Sequence, residues 1–153
     1  MTIKEFIIAD TVQSFDNFMV TARKVPAEKL EWKPLDNGRS TLDQAQEVAL
    51  CPNWVPGLFA TRGFDPSMFE GFEEAKAKMT NLDECEAIGR ANLELMKTAI
   101  NDLPDADMDV RIDLPWGKGN YSLREVMGFP AWNCTYHMGQ VSYIQTLYGD
   151  FSM

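Results

Sequence analysis

Four short patterns constrain this chain more than anything else in it: Thr2-x-x-Glu5, Ser40-x-x-Asp43, Asn81-x-x-Glu84 and Ser122-x-x-Glu125. Each sets a small polar side chain three residues ahead of an acid. Such a pair satisfies amide groups orphaned at a helix start and puts negative charge at the positive end of the helix dipole. The stops agree with the starts. Pro26 follows Val25, Gly63 follows Arg62, Pro104 follows Leu103 and Gly149 follows Tyr148, as helix ends prefer. The spacing predicts helices over roughly 3–25, 41–62, 82–102 and 123–148, with ends good to a few residues.

Apolar periodicity fits this frame. Ile8, Val12, Phe15, Met19 and Ala22 form a stripe on the first helix, and Leu82, Cys85, Gly89, Leu93, Met96 and Ile100 form one on the third. The fourth aligns Val126, Pro130, Asn133, His137, Val141 and Ile144. The second is less regular, because Pro52 and Pro56 interrupt its later half and Pro removes a backbone hydrogen bond. Pro130 is expected to bend the fourth helix one turn before Asn133. Between helices, "FEEAKAKM" reads as a short exposed helix. In "DMDVRIDLPWGKGN", Met108, Val110, Ile112 and Leu114 alternate with polar residues, the period of a half-buried strand. No partner of comparable quality is visible, so it could pack as an extended segment instead. The whole predicts an all-α four-helix bundle with long connections, one domain over residues 1–153.

Charge and composition exclude several functions. The formal net charge of -9 and the lack of any Lys/Arg-rich run oppose nucleic-acid and membrane-surface binding. The start "MTIKEFIIADTVQSFDNF" breaks any signal-peptide core with Asp and Gln, and no apolar run approaches the ~20 residues of a membrane span. Cys51, Cys85 and Cys134 are an odd set without a C-x-x-C pair, which reads as buried thiols in a cytoplasmic protein.

The chemistry concentrates in "NCTYHMGQVSYIQTLYGD", which holds His137, the one histidine of the chain. Asn133, His137 and Gln140 share a face with Val141 and Ile144, so they point into the bundle or a helix interface. Polar groups there need partners, at about 1–3 kcal/mol for each left unsatisfied. Glu47, set among Ala45, Val48, Ala49 and Leu50, is the natural partner on the second helix, with Cys51 one turn beyond. A buried Glu stays ionised only beside a metal, a cation or strong donors. Two readings stand. The seam holds a divalent ion, or it is a satisfied core histidine tying two helices together. Cys51 reads as a small hydrophobe, and the four Trp residues as packing.

The order of these pieces resembles the DinB/YfiT-like superfamily. The carrying segments are "WKP", "RSTLDQAQEVA", "PWGKGNYSLREVM" and "NCTYHMGQVSYIQTLYG", spanning Ile3 to Gly149. The superfamily's last helix typically reads His-x-x-x-His-Arg-Gly-Gln. Here it reads Asn133-x-x-x-His137-Met138-Gly139-Gln140. The resemblance implies an up-down-down-up bundle, often a homodimer, with a divalent ion held by three histidines. It also implies transferase or isomerase chemistry on low-molecular-weight thiols. Carried over by position, the metal ligands would be Glu47, Asn133 and His137, with Gln140 orienting a ligand from behind and Cys51 nearby. A carboxylate and an imidazole suit nickel, zinc or manganese, but an amide in place of an imidazole weakens the hold. The expectation is one weakly bound ion or none.

Two functions therefore compete. One is a metal-dependent enzyme of the transferase or hydrolase type with a degenerate site. The other is a non-catalytic bundle, binding a small ligand or serving as a dimeric structural protein. Catalytic residues are not assigned by the sequence.

Overall fold

The computed structural model describes residues 1–152. Its helices are α1 (Ile3–Ala22), α2 (Thr41–Leu50), α3 (Trp54–Thr61), α4 (Phe72–Ala77), α5 (Leu82–Asp102), α6 (Leu123–Met127) and α7 (Phe129–Leu147). All four sequence starts are real caps. The side chains of Thr2, Ser40, Asn81 and Ser122 accept from the amides of Glu5, Asp43, Glu84 and Glu125. At Thr2 and Ser122 the acid also reaches back to the cap amide, closing a full capping box.

The four long elements form the bundle: α1 packs on α7 and α5, and α2 packs on α5 and α7. Their directions follow from which ends meet. Lys4 at the start of α1 donates to the Leu103 carbonyl just past α5, whereas Arg23 at its end pairs with Asp83 and Glu86 at 2.7 Å. These two helices are antiparallel. Gln46 donates to the carbonyls of Lys76 and Met79 just before α5, and Asn92 further along α5 donates to Ala49. α2 and α5 are therefore parallel. Gln44 meets His137 and Glu47 meets Asn133, so α7 runs opposite to α2. The order is up-down-down-up.

Two helices depart from their expected spans, both at prolines. The expected 41–62 helix is two pieces, because Cys51–Asn53 form a 3-10 turn around Pro52. Pro56 then falls in the first turn of α3, where a missing N–H costs little. Arg62, left-handed at φ 52, ends that helix. Likewise the last helix breaks at Gly128, so Pro130 opens α7 rather than bending its interior. The residues after the break keep the expected face: Asn133, His137, Val141 and Ile144 are all buried.

The alternating segment does find a partner. β1 (Arg111–Asp113) pairs antiparallel with β2 (Asn120–Ser122), with Ile112 opposite Tyr121. Gly117 and Gly119 turn the hairpin at φ 59 and φ 82. Met108, Ile112 and Leu114 are buried as the alternation predicts, but Val110 is exposed. The stripe of α5 is buried at each expected position, Gly89 included. A Cβ on Gly89 would lie 2.4 Å from Phe15 Cζ, so the buried ring of Phe15 fills the space a side chain there would need. Trp54 and Trp116 pack with Phe64, Phe69 and Phe72 under the connectors, and Trp32 lies edge-on to Tyr148. Trp132 does not fill the core; it is exposed on α7.

Candidate functional site

The site is the seam between α2 and α7. Glu47 and His137 meet because the two helices are antiparallel and each carries its polar residue on the buried face. His137 is 1% exposed, and its Nε2 lies 3.0 Å from Glu47 Oε1. Asn133 Nδ2 donates to the same oxygen at 3.1 Å. Asn133 is one turn before His137, so two consecutive turns of α7 converge on one carboxylate. The other oxygen of Glu47 is held by Arg39 Nη1 at 2.6 Å. Glu47 thus receives three donors.

On the far side of the imidazole, Nδ1 lies 3.1 Å from Gln44 Oε1 and 2.9 Å from Gln140 Oε1. Both ring nitrogens face oxygen atoms, an arrangement that is satisfied when both carry hydrogen. Turning over either glutamine amide would instead give Nδ1 a donor and suit the neutral ring. Arg39 also reaches Asp43, and Asp43 in turn takes Lys76. From Glu47 outward through Arg39 and Asp43 to Lys76, the cluster alternates in charge.

These contacts set the acidities. Glu47 is held down to about 2, first by the hydrogen bond from His137; partial burial opposes this, and the charges of His137 and Arg39 add to it. For Asp43, burial pushes upward, but Lys76 and Arg39 outweigh it and hold the carboxyl below its ordinary value. Cys51 is raised well above a normal thiol, chiefly by burial, with Cys134 and Glu47 as further causes. Cys134 is raised to about 12 by burial alone. Neither is a thiolate near neutral pH, so neither is a ready nucleophile.

All of the expected site residues gather here. Glu47, Asn133, His137 and Gln140 are joined by hydrogen bonds, and Cys51 is buried within electrostatic reach of Glu47 without a hydrogen bond to the seam. The sequence reading missed Arg39, Gln44, Asp43 and Lys76. Gln44 was findable, since it precedes Glu47 by three residues on the same helix face. Arg39 precedes the Ser40 cap, outside any helical periodicity, so no spacing rule points to it.

One solved structure overlies nearly the whole chain: a DinB-like protein from Bacillus subtilis, YjoA, with a TM-score of 0.67 at 14% identity, covering 96% of this chain and 94% of that one. The fold is DinB-like. No protein-family model matches the sequence, and no curated protein does. At 14% identity the likeness speaks for the architecture and not for the chemistry. No helix among the described residues is long and apolar enough to cross a membrane.

Proposed function

We propose that this DinB-like bundle is a non-catalytic, ligand-binding homodimer in which an ion network of Glu47, His137 and Arg39 stands where the superfamily it resembles holds a metal. The observation that carries this reading is the saturation of Glu47. One oxygen takes His137 and Asn133, and the other takes the Arg39 guanidinium at 2.6 Å. A divalent ion bound by this carboxylate would meet a fixed positive charge on its second oxygen. Asn133 also turns its nitrogen, not its oxygen, toward Glu47. Such a donor set does not fit a resident ion.

One observation favours the rival, a metal-dependent transferase or isomerase with a weak site. Asn133 Oδ1 is buried without a hydrogen-bond partner, and an amide oxygen can ligate. Elemental analysis of protein purified without chelator or metal-binding tag separates the two, followed by thermal melts with nickel, zinc and manganese. A specific ion at a hundredfold excess over its Kd would add about 2.7 kcal/mol. The proposal expects far less than one equivalent of metal and no rise in melting temperature. A near-stoichiometric metal, or a rise that Glu47→Ala and His137→Ala abolish, would overturn it.

The homodimer is supported by the outer face of α7. Trp132 (64% exposed), Tyr136 (49%), Tyr143 (66%) and Leu147 (46%) line that face, although Val141 and Ile144 already bury the inner one. A helix apolar on both faces is normally covered on both. Phe129–Leu147 contains no Asp, Glu, Lys or Arg, in a chain of net charge -9. Two copies so charged can approach with least repulsion along such a face. Gly139 lies in the middle of the stripe, and a Cβ there would meet nothing within 4 Å. No contact inside the chain requires a glycine at that point, so close approach of a second α7 is the packing reason that remains for it. Sedimentation should give a dimer that Trp132→Glu with Leu147→Glu splits; a monomeric wild type refutes this part.

A further inference from the structure

Beside the seam, on the Nδ1 side of His137, lies a groove of about 560 Å³ between α7 and the segment that leads into α2. Its lining includes Gln44 and Gln140, both bound to Nδ1, but neither Glu47 nor Asn133. It therefore lies against the Nδ1 side of the imidazole, with Arg39 between it and Glu47. Pro34, Tyr136 and Tyr143 supply flat walls, and Arg39 borders the polar floor.

The polarity of that floor is one-sided. With the amide oxygens of Gln44 and Gln140 on His137, their amide nitrogens are the groups left for a ligand; with either amide turned over, an oxygen would be left instead. Gln44 is 1% exposed, yet its Nε2 has no partner among the described residues; what little surface it keeps faces the groove. Arg39 carries five N–H groups and spends three on Asp43 and Glu47. Its charge is already balanced by those carboxylates, so the floor offers donors more than it offers net charge. Flat aromatic walls over such a floor suit a planar molecule.

We propose that this groove binds a small planar molecule through one or two acceptor oxygens, a carboxylate or a carbonyl, received by Gln44, Gln140 and Arg39 and stacked between Tyr136 and Tyr143. The proposal deepens the binding reading above and rests on it. Tyr136, Gly139 and Tyr143 line the groove and also belong to the dimer stripe, so the ligand would lie on the face between copies.

The test uses the full chain labelled with nitrogen-15, titrated with benzoate, benzamide and benzylamine. Benzoate or benzamide is expected to shift the side-chain amide signals of Gln44 and Gln140 saturably, and benzylamine to leave them in place. Benzoate alone identifies a carboxylate site, while benzamide, alone or equally well, identifies a carbonyl site. Tyr143→Ala and Gln140→Leu are each expected to weaken binding about tenfold, which is 1.4 kcal/mol. Leu95→Ala, exposed on α5 and outside the groove lining, is expected to leave it unchanged. The proposal is overturned if neither oxygen probe moves those signals, if benzylamine moves them equally, or if Tyr143→Ala has no effect. Because the readout is on the glutamines, it stays separate from the metal assay: metal bound at Glu47 would sink the non-catalytic reading while these shifts are judged independently.

Discussion

Replacing Glu47 by glutamine keeps the size of the side chain and removes its charge, and the size of the loss can be worked from its surroundings. His137, Asn133 and Arg39 all donate to this carboxylate. Together they bring it from 4.5 to about 2. At about 1.4 kcal/mol per unit, that drop corresponds to roughly 3 kcal/mol. The side chain keeps 24% of its exposure, so solvent screening brings the expected contribution to about 2 kcal/mol. The sign follows from the depressed folded value. The stabilisation is fully present above the unfolded value of 4.5 and is lost as pH falls toward 2. Urea unfolding of wild type and Glu47→Gln, run at several pH values between 7 and 2, isolates this term, because the other shared carboxylates cancel in the difference. The variant should be less stable by about 2 kcal/mol near neutral pH, equivalent to roughly 4–8 °C in melting temperature for a chain of this size. The gap should then close below pH 5. A gap that stays constant with pH would mean that packing, not charge, holds Glu47, and the ion-network account would fail.

Three further outcomes follow from particular contacts. Gly89→Ala should destabilise by about 1–3 kcal/mol despite its better helix propensity, because the added methyl strikes Phe15; unchanged denaturant unfolding would contradict the close packing of α1 on α5. Gly139→Ala should do the opposite within each chain, gaining about 1 kcal/mol of helix propensity, while sedimentation shows weaker self-association. Native protein should show no fast-reacting thiol at pH 8 with a chromogenic disulfide reagent, since Cys85 and Cys134 are raised to about 12 and Cys51 is buried; one rapid equivalent would refute that burial.

What could be read from the sequence was whatever is encoded locally. A cap is a short-range signal, and so Thr2, Ser40, Asn81 and Ser122 were placed correctly from spacing alone. The α5 stripe was legible because an amphipathic helix repeats its instruction over many turns. The hairpin was half legible. β1 alternates visibly, but β2 is only Asn120–Ser122, too short for any period to emerge, and its one signal was the pair of turn glycines at 117 and 119. At the prolines the local rule was right and the extent was wrong. Pro52 ends α2 outright, because the chain restarts as α3 rather than bending through. The site divides along the same line. Glu47, Asn133, His137 and Gln140 declared themselves by sharing buried helix faces, whereas Arg39 reaches Glu47 from a loop, through a contact that no periodicity encodes.

Arg39 is also what makes the seam self-consistent. A partly buried carboxylate needs positive charge or strong donors nearby, or it gives up its ionisation. In a three-histidine site the metal brings the positive charge, and neutral imidazoles suffice as its ligands. If Glu47 and Asn133 stand where the resemblance sets histidines, as the proposed function has it, the requirement reverses: the protein carries the negative charge and must supply the cation itself. Arg39 does so from the N-terminal side of α2, on the oxygen that His137 and Asn133 leave free. Asp43 then faces Arg39, and Lys76 faces Asp43, so each charge introduced is met by another. On the function proposed above, the Glu47–Arg39 ion pair, with His137 and Asn133 on the other carboxylate oxygen, is what joins α2 to α7.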